Sequence, residues 1–348
     1  MKDRPLVGIL VARRSSRKNI LALHQQHRHL NLKLFAFTPE DIMWKERRIK
    51  GQYLSKRAFK ERRFPLPDVV YNRAFNKKST TVRRLGALIG EKKCFNSINF
   101  FNKWELHNSL LQTELLYLIP ETFSYNTLDL DQLLKEHQLL YIKPTYGVRG
   151  NSVYRIERKE QGDTHISLHT LAPLAICRKY EGLREKLTAI LKPGDYIVQQ
   201  GIRTLQLNQC YFDIRVLVQK DISGSWTISA ITSRVAYEQY FNTSMCESVH
   251  DSIELFERLL TPKKLSKTLQ TLHKASLMAA QVADSHMGSL GELSVDFVLD
   301  EQLRLWIIEL NGKPQKDIYY DIETFINREI IHTRPLEYAY YLAQMEKK

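Results

Sequence analysis

Two strand-like segments near the C-terminal end constrain this chain more than any other feature. Residues 293–299 and 303–310 are predicted to pair as a β-hairpin that carries Asp296 on one strand and Glu309 and Asn311 at the end of the other. Two carboxylates and an amide oxygen on one face would suit Mg²⁺, which keeps several waters and takes further ligands from phosphate. The alternative is the solvated polar face of an ordinary hairpin.

Strand register decides between these two interpretations. A turn in which Asp300 pairs with Leu303 would put Asp296 opposite Ile307. Because side chains alternate between the two faces of a strand, Glu309 would then share the face of Asp296. A slip of one residue would turn Asp296 to the other face.

A glycine-bearing loop follows another predicted strand, residues 139–143. Lys143 lies at the strand end, Gly147 and Gly150 follow, and Asn151 comes directly after the second glycine. Glycines let a backbone approach phosphate oxygens closely, and a lysine supplies a point charge for them. Such a pair of glycines is also common in ordinary turns, and the sequence lacks the GxxxxGK[ST] pattern of the P-loop kinases.

A third group of charged residues lies on two further predicted strands. Asp213 and Arg215 share one strand face, and Arg234 follows a strand that is expected to pair with theirs. Two guanidinium groups could therefore converge on one anion such as a phosphate. The alternative is a cross-strand ion pair on the surface, with Asp213 or another acid, which would stabilise the fold by only about 0–1 kcal/mol.

Positive charge is concentrated in the first part of the chain. Residues 1–100 hold 24 lysines and arginines against 7 acidic residues, whereas the formal net charge of the whole chain is +14. Such a field attracts anionic partners, and nucleic acid, an anionic polymer or an acidic peptide would all fit. A solvated basic surface that aids solubility is an equal alternative.

The apolar pattern predicts a small α/β domain followed by a larger α+β region. Residues 6–11, 32–37 and 68–71 are expected to form strands around a helical segment. Helices are expected at residues 103–118 and 262–285, and further strands at residues 196–200, 212–219 and 226–233. The helical histidines His24, His27 and His29 are expected on an exposed face rather than at a metal site.

These motifs occur in one order along the chain. The series comprises Lys103; Lys143 with its glycine loop; Gln199, Gln200, Gly201 and Ile202; Asp213 and Arg215; Arg234; and Asp296, Glu309 and Asn311. In this order and spacing the chain resembles the ATP-grasp superfamily, in particular the D-alanine ligases and the RimK-like carboxylate–amine ligases. More narrowly, residues 65–73, 212–220 and 309–314 resemble the YheC/YheD type, described as endospore coat-associated proteins.

The resemblance implies a fold and a domain organisation. It implies an α+β ATP-grasp fold, in which two α+β lobes grip ATP, preceded by a small α/β pre-ATP-grasp domain. The basic N-terminal domain is expected at residues 1–100, the first lobe with its lid at residues 101–195, and the second lobe with the hinge and metal site at residues 196–345.

The resemblance also implies a role for each matching residue of this chain. Lys103 and Lys143 would contact the α- and β-phosphates of ATP, and the loop with Gly147, Gly150 and Asn151 would cover them. Gln199, Gln200 and Ile202 would receive adenine at the hinge. Arg215 and Arg234 would face the γ-phosphate and the acyl phosphate, and Asp296, Glu309 and Asn311 would hold one or two Mg²⁺ ions.

One segment departs from the pattern of the family. Relatives commonly continue from the strand of Arg234 into an asparagine followed by a Gly-Gly pair. Here Asn242 is retained as a candidate catalytic residue, but residues 241–248 contain no glycine. The resemblance therefore implies ATP binding more firmly than it implies turnover.

The implied function is that of an ADP-forming carboxylate–amine ligase that acts through an acyl phosphate. Its partners would be a small-molecule or peptide carboxylate and an amine acceptor. Two alternatives stay open: a non-catalytic nucleotide-binding or coat-assembly scaffold, and a polyanion-binding or nucleic-acid-binding protein that uses the basic N-terminal third. Because no stretch approaches the roughly 20 apolar residues of a membrane span, a cytoplasmic location is expected, with the forming endospore coat as an associated site.

Overall fold

The computed structural model describes residues 4–25, 27–75, 79–147, 150–179, 181–322 and 328–345. Three β-sheets organise this part of the chain, and helices cover them. Within the described residues, no helix combines the length and the apolar character that crossing a membrane requires.

The first sheet is built on short apolar strands. The apolar runs at residues 6–11, 32–37 and 68–71 form strands as predicted, and the second and third of these strands flank the first in parallel. Its order is β3-β4-β2-β1-β6-β7, with β5 paired to β4. The elements are β1 (Leu6–Leu10), α1 (Ser16–Leu23), β2 (Lys33–Phe37), β3 (Ile42–Met43), β4 (Arg48–Ser55), β5 (Ala58–Pro65), β6 (Val69–Asn72), α2 (Thr80–Ile89) and β7 (Cys94–Phe95).

The hairpin of β4 and β5 is not predicted by the sequence pattern. Its strands pair along their whole length, from Arg48 opposite Pro65 to Ser55 opposite Ala58. Basic side chains interrupt the alternation that would reveal the strands, and most residues of β5 are exposed. The guanidinium of Arg62 lies 4.3 Å from the ring centre of Phe64, so part of the basic charge is packed on aromatic rings.

The second sheet is antiparallel and has the order β12-β11-β10-β9-β13-β8. The strand predicted to end at Lys143 is β9, and it lies between its neighbours β10 and β13. The elements of this region are α3 (Lys103–Leu111), β8 (Thr122–Ser124), α4 (Leu130–His137), β9 (Leu139–Pro144), β10 (Tyr154–Arg158), β11 (Thr164–Leu168), β12 (Pro173–Cys177), α5 (Leu183–Ile190) and β13 (Tyr196–Gln200).

The third sheet carries the arginine and carboxylate motifs. Its order is β17-β16-β15-β18-β19, with β14 paired to β15. The elements are β14 (Gln206–Leu207), β15 (Cys210–Lys220), β16 (Trp226–Ala236), β17 (Cys246–Asp251), α6 (Ser252–Leu259), α7 (Pro262–Met287), β18 (Glu292–Leu299), β19 (Leu305–Asn311) and α8 (Ile330–Gln344).

Helix α7 closes the core of this third sheet. It begins at Pro262, a residue suited to a first helical turn, and ends before Gly288, whose φ of 87° a glycine adopts without strain. Its buried residues Ala275, Ala279 and Ala283 recur every fourth position, and such small side chains let the helix lie close to the strands.

The predicted helix at residues 103–118 is shorter than expected. Helix α3 ends at Leu111, and Thr113 then caps a 3-10 turn, Glu114–Leu118, by accepting a hydrogen bond from Leu115 N at 3.2 Å. Leu106 and Leu110 of α3 pack into the same core as α7 and the third sheet. The three-domain division at residues 100 and 195 remains a prediction. Helix α3 packs into the core of the third sheet, and β13 belongs to the second sheet.

Candidate functional site

One cavity of about 900 Å³ extends between the three sheets. Every site residue proposed from the sequence lines it. These residues are Lys103, Lys143, Gly147, Gly150, Asn151, Gln199, Gln200, Ile202, Arg215, Arg234, Asn242, Asp296, Glu309 and Asn311. The structure therefore brings together groups that are spread over two hundred positions of sequence.

Arg215 and Asp296 form a two-pronged ion pair at the centre of the cavity wall. They are directly opposite one another on β15 and β18. Arg215 Nε donates to Asp296 Oδ1 at 2.8 Å, and the second guanidinium nitrogen donates to Oδ2 at 2.6 Å. Burial raises the pKa of Asp296, but Arg215 outweighs this effect and lowers it below its usual value.

Arg234 joins the same charge network from the neighbouring strand. Its Nε donates to Asp213 Oδ1 at 2.9 Å, and a guanidinium nitrogen lies 3.4 Å from Asp296 Oδ2. Thr243 adds a hydrogen bond to Asp213 at 2.6 Å. The cross-strand pair considered from the sequence does form, but it is buried, with Arg234 and Asp213 each 6% exposed, so the surface interpretation is wrong.

The hairpin of β18 and β19 has a different register from the predicted one. Phe297 is opposite Ile307, and Asp296 is opposite Glu309, because a β-bulge leaves Ile308 between them. The predicted pairing of Asp296 with Ile307 is therefore wrong. The bulge nevertheless brings Glu309 beside Asp296, and Asn311 Nδ2 donates to Asp296 Oδ2 at 3.2 Å.

Two lysines extend the positive charge toward the second sheet. Lys103 follows the helix cap Asn102 and lies 2.9 Å from a carboxylate oxygen of Glu309, while its Nζ donates to the backbone oxygen of Gly147 at 3.1 Å. Lys143 Nζ donates to Gln199 Oε1 at 2.6 Å. Burial lowers the pKa of Lys143 to about 8.

The connection between the second and third sheets begins at the end of β13. Gln199 uses its side chain on Lys143 and Thr122, and the side-chain oxygen of Gln200 accepts from the backbone of Glu121 at 3.3 Å. Both glutamine side chains are therefore engaged within the protein. The backbone N–H groups of Gln200 and Gly201 also have partners, Glu121 O and Leu139 O, each at 2.8 Å.

The glycine loop touches the loop that follows β16. Gly150 has a φ of 65°, and a Cβ atom there would lie 2.1 Å from Asn242 Nδ2. Asn242 Nδ2 is also 3.0 Å from His169 Nδ1, and Phe241 N donates to the backbone oxygen of His169 at 3.0 Å. The second sheet thus rests on the third across the cavity. Val148 and Arg149 of the loop lie outside the described residues.

The oxygen donors fit Mg²⁺ by their chemistry. Among the described residues, no cluster of three or more histidine, cysteine, aspartate or glutamate side chains is arranged to hold a metal. The candidate set is instead two carboxylates, Asp296 and Glu309, with the Asn311 amide, whose Oδ1 is the atom left to act as a ligand. Such a set suits an ion that completes its coordination with phosphate and water.

The sequence interpretation missed a second group of cavity residues. Arg73, His24, Lys316 and His332 line the end that faces the first sheet. His24 is only 2% exposed, so the expectation of an exposed helix face is wrong for it. The sequence offers one indication of this group, because Arg73 comes directly after the buried strand β6 and next to Asn72.

The fold and this cavity define a protein of the ATP-grasp class, in which two α+β units face one another across a cleft. Solved structures agree in fold. N5-carboxyaminoimidazole synthetase from Staphylococcus aureus, complexed with ADP, superposes with a TM-score of 0.55 at 12% identity over 97% of this chain and 78% of that one. The VanG D-Ala:D-Ser ligase from Enterococcus faecalis gives 0.53 at 11% identity over 97% of this chain and 100% of that one.

The sequence defines the family more narrowly. The model of the YheC/D-like ATP-grasp family matches residues 91–342, and the chain belongs to this family. The endospore coat-associated protein YheD of Bacillus subtilis (strain 168) is 27% identical over 327 residues, which cover 89% of this chain and 70% of that protein.

Proposed function

We propose that this protein binds Mg-ATP in the cavity and is an ADP-forming carboxylate–amine ligase that acts through an acyl phosphate. The observation that carries the proposal is that Arg215, Arg234 and Lys103 form ion pairs with Asp296 and Glu309, and that Lys143 lines the same cavity. Four cations stand against three carboxylates, those of Asp213, Asp296 and Glu309, and this excess of positive charge suits a ligand that brings negative charges of its own.

Each half of the cavity would receive one part of the nucleotide. The segment that includes Gln199, Gln200 and Ile202 lines the cavity and would receive adenine, with Ile202 as the contact residue, because both glutamine side chains and the Gln200 and Gly201 N–H groups already have partners in the protein. Lys103 and Lys143 would contact the α- and β-phosphates, and the backbone of Gly147 and Gly150 would cover them. These glycines permit the close approach that a side chain would prevent.

The metal would be held by Asp296, Glu309 and Asn311. When bound, Mg²⁺ would neutralise charge on the phosphate oxygens. In the structure, Arg215 neutralises Asp296 and Lys103 neutralises Glu309. Release of these cations from their carboxylates would free them to face the incoming phosphates.

The reaction would need little covalent chemistry from the protein. A substrate carboxylate oxygen would attack the γ-phosphorus, and the bond to ADP would break, leaving an acyl phosphate. An amine would then attack the acyl carbon, lose a proton and expel phosphate. Arg215 and Arg234 would stabilise the charge on the transferring group, and Asp213, which accepts two hydrogen bonds from Arg234, would orient that guanidinium.

A scaffold function is the second candidate, and specific contacts favour it. Arg215 and Arg234 are neutralised by carboxylates of the chain itself. Thr243, in the loop that lacks the glycines of the family, donates a hydrogen bond to Asp213. Together with the coat association of the relative YheD, these contacts would suit a protein that holds a nucleotide, or assembles with the endospore coat, without turnover.

Two measurements separate the candidates. Mg-ATP binding is followed with a fluorescent nucleotide, and ADP release is followed with a panel of acids and amines, with hydroxylamine present to trap an acyl phosphate. A ligase gives ADP and a hydroxamate that depend on the acid. Binding without ADP release supports the scaffold, and the absence of binding would rule out the proposed nucleotide site.

A further inference from the structure

A second charged cluster lies on the same face of the third sheet as the central ion pair. Glu292 precedes Asp296 by four residues on β18, and Gln219 is opposite Glu292 as Arg215 is opposite Asp296. At a rise of roughly 3.3 Å per residue, the two clusters are about 13 Å apart along the strands.

Glu292 is the centre of this cluster and is fully buried. Its Oε1 accepts a hydrogen bond from Arg73 at 2.6 Å. Its Oε2 accepts one from Gln219 at 2.9 Å and lies 2.6 Å from Lys316 Nζ. Tyr71 also donates to it. Two cations from different parts of the chain therefore share one carboxylate.

Because Arg73 and Lys316 share the single carboxylate of Glu292, this cluster carries more positive than negative charge. The Lys316 side chain is 4% exposed, and burial lowers its pKa to about 8. Because a buried charge is stable only when it is paired and hydrogen-bonded, a site with two cations and one carboxylate favours a further anion. Arg73 and Lys316 both line the cavity, so such an anion can reach them.

His332 is an independent indication of a ligand at this end of the cavity. It lines the cavity, is 5% exposed, and its two ring nitrogens have no hydrogen-bond partner among the described residues. Its ring packs edge-to-face on His24 with centres 5.3 Å apart. A buried imidazole of this kind is normally hydrogen-bonded, and an anion beside it would accept its N–H.

We propose that Arg73, Lys316 and His332 form a second anion subsite, which binds an anionic group of the substrate away from the reacting carboxylate. The assignment of the group as substrate rests on the proposed ligase function. The substrate class is then an acid with two anionic groups, one at the arginines of the central cluster and one at this subsite. A carboxylate and a phosphate monoester share the required chemistry.

The test measures anion binding to the full chain without nucleotide. Glutarate, its uncharged diamide glutaramide and inorganic phosphate are titrated at fixed ionic strength, and binding is followed by the shift in thermal unfolding. Glutarate or phosphate should stabilise the protein, and glutaramide should not. The anion that binds more tightly identifies the group as carboxylate or phosphate, and equal effects of glutarate and glutaramide would overturn the proposal.

Variants of Lys316 test whether the added anion binds at this cluster. Lys316→Gln should weaken anion binding about tenfold, because a hydrogen bond to a charged group is lost, and Lys316→Arg should retain it. The Lys316→Gln protein should fold, since Arg73 still neutralises Glu292. Lys313→Gln, in the same loop and cavity, is the matched control and should bind like the unchanged chain.

The outcomes also separate this proposal from the proposed function. If Lys316→Gln binds glutarate and phosphate as tightly as the unchanged protein, the subsite is wrong, whatever the nucleotide does. If the protein binds these anions through Lys316 but never binds ATP, the subsite stands and the ligase function fails.

Discussion

Asp296 lies opposite Glu309 across β18 and β19, beside a β-bulge at Ile308. Each carboxylate is held by a different cation, Asp296 by Arg215 and Glu309 by Lys103. The two acids can therefore lie side by side without uncompensated repulsion. In the proposed function, the pair would exchange its protein cations for the charges of a ligand.

Replacing one of these carboxylates should impair turnover. We expect Glu309→Gln to reduce ADP release roughly 100-fold or more, because an amide removes a charge that would hold the metal and position Lys103. Steady-state ADP release over a range of Mg²⁺ concentrations measures this effect. Glu301→Gln, at the exposed turn of the same hairpin, is the control and should leave the rate unchanged. Equal rates for Glu309→Gln and the unchanged chain would contradict the metal assignment.

Nucleotide affinity should depend on the protonation of Lys143. Its pKa of about 8 means that the ammonium is mostly charged at pH 7 and mostly neutral at pH 9, so affinity should fall as pH rises through 8. The fall between these pH values should be about tenfold at most.

A variant with a permanent charge tests this dependence. Lys143→Arg should bind nucleotide with little change between pH 7 and pH 9, because a guanidinium stays protonated there. Lys263→Arg, at an exposed position of α7, should keep the pH dependence of the unchanged chain. A flat profile for the unchanged chain would show that Lys143 does not control binding.

The contact of Gly150 with Asn242 should be sensitive to a single methyl group. Gly150→Ala places a Cβ 2.1 Å from Asn242 Nδ2, so the loop must move away from Asn242. We expect weaker nucleotide binding and a loss of about 1–3 kcal/mol in the free energy of unfolding, measured by urea titration.

Gly162→Ala is the matched control for this change. Its φ of 94° is also positive, so it carries comparable backbone strain, but the nearest atom, in the Lys179 side chain, lies 3.5 Å away. It should lose stability without losing nucleotide affinity. If both alanine variants bind nucleotide equally well, the contact of Gly150 with Asn242 has no part in binding.

The buried acid Glu292 should be essential for stability. Glu292→Gln leaves Arg73 and Lys316 without a counter-charge, and we expect a loss of about 3–5 kcal/mol in the free energy of unfolding. Burial raises the pKa of Glu292, but Lys316 and Arg73 outweigh it and lower the pKa below its usual value. Its stabilisation is therefore present above the ordinary pKa of glutamic acid and is lost as pH falls toward the folded-state value.

Urea unfolding at neutral pH measures the loss. Glu257→Gln, an exposed position in α6, is the control and should change the stability by less than about 0.5 kcal/mol. A small effect at Glu292 would mean that the two cations find another partner.

Local patterns were sufficient for much of the fold. The strand predicted at residues 196–200 coincides with β13, and the long helix predicted from Pro262 ends one residue before Gly288. Both predictions depend on apolar runs and helix caps, which act over only a few residues. The hairpin of β4 and β5 was not predicted, because its exposed lysines and arginines obscure the alternation of apolar and polar residues that indicates a strand. The burial of His24 could not be predicted either, because it depends on the ring of Tyr71 and on α8.

The sequence by itself determined which chemical groups occur and in what order, from Lys103 to Asn311, and this order was enough to propose the site residues that line the cavity. Only the tertiary structure decided the partners. The bulge at Ile308 sets Asp296 beside Glu309, and the packing of the first sheet on the third brings Arg73 to Glu292 across 219 positions of sequence. The physical reason is that such pairings depend on register and on the docking of distant surfaces, which no local pattern encodes.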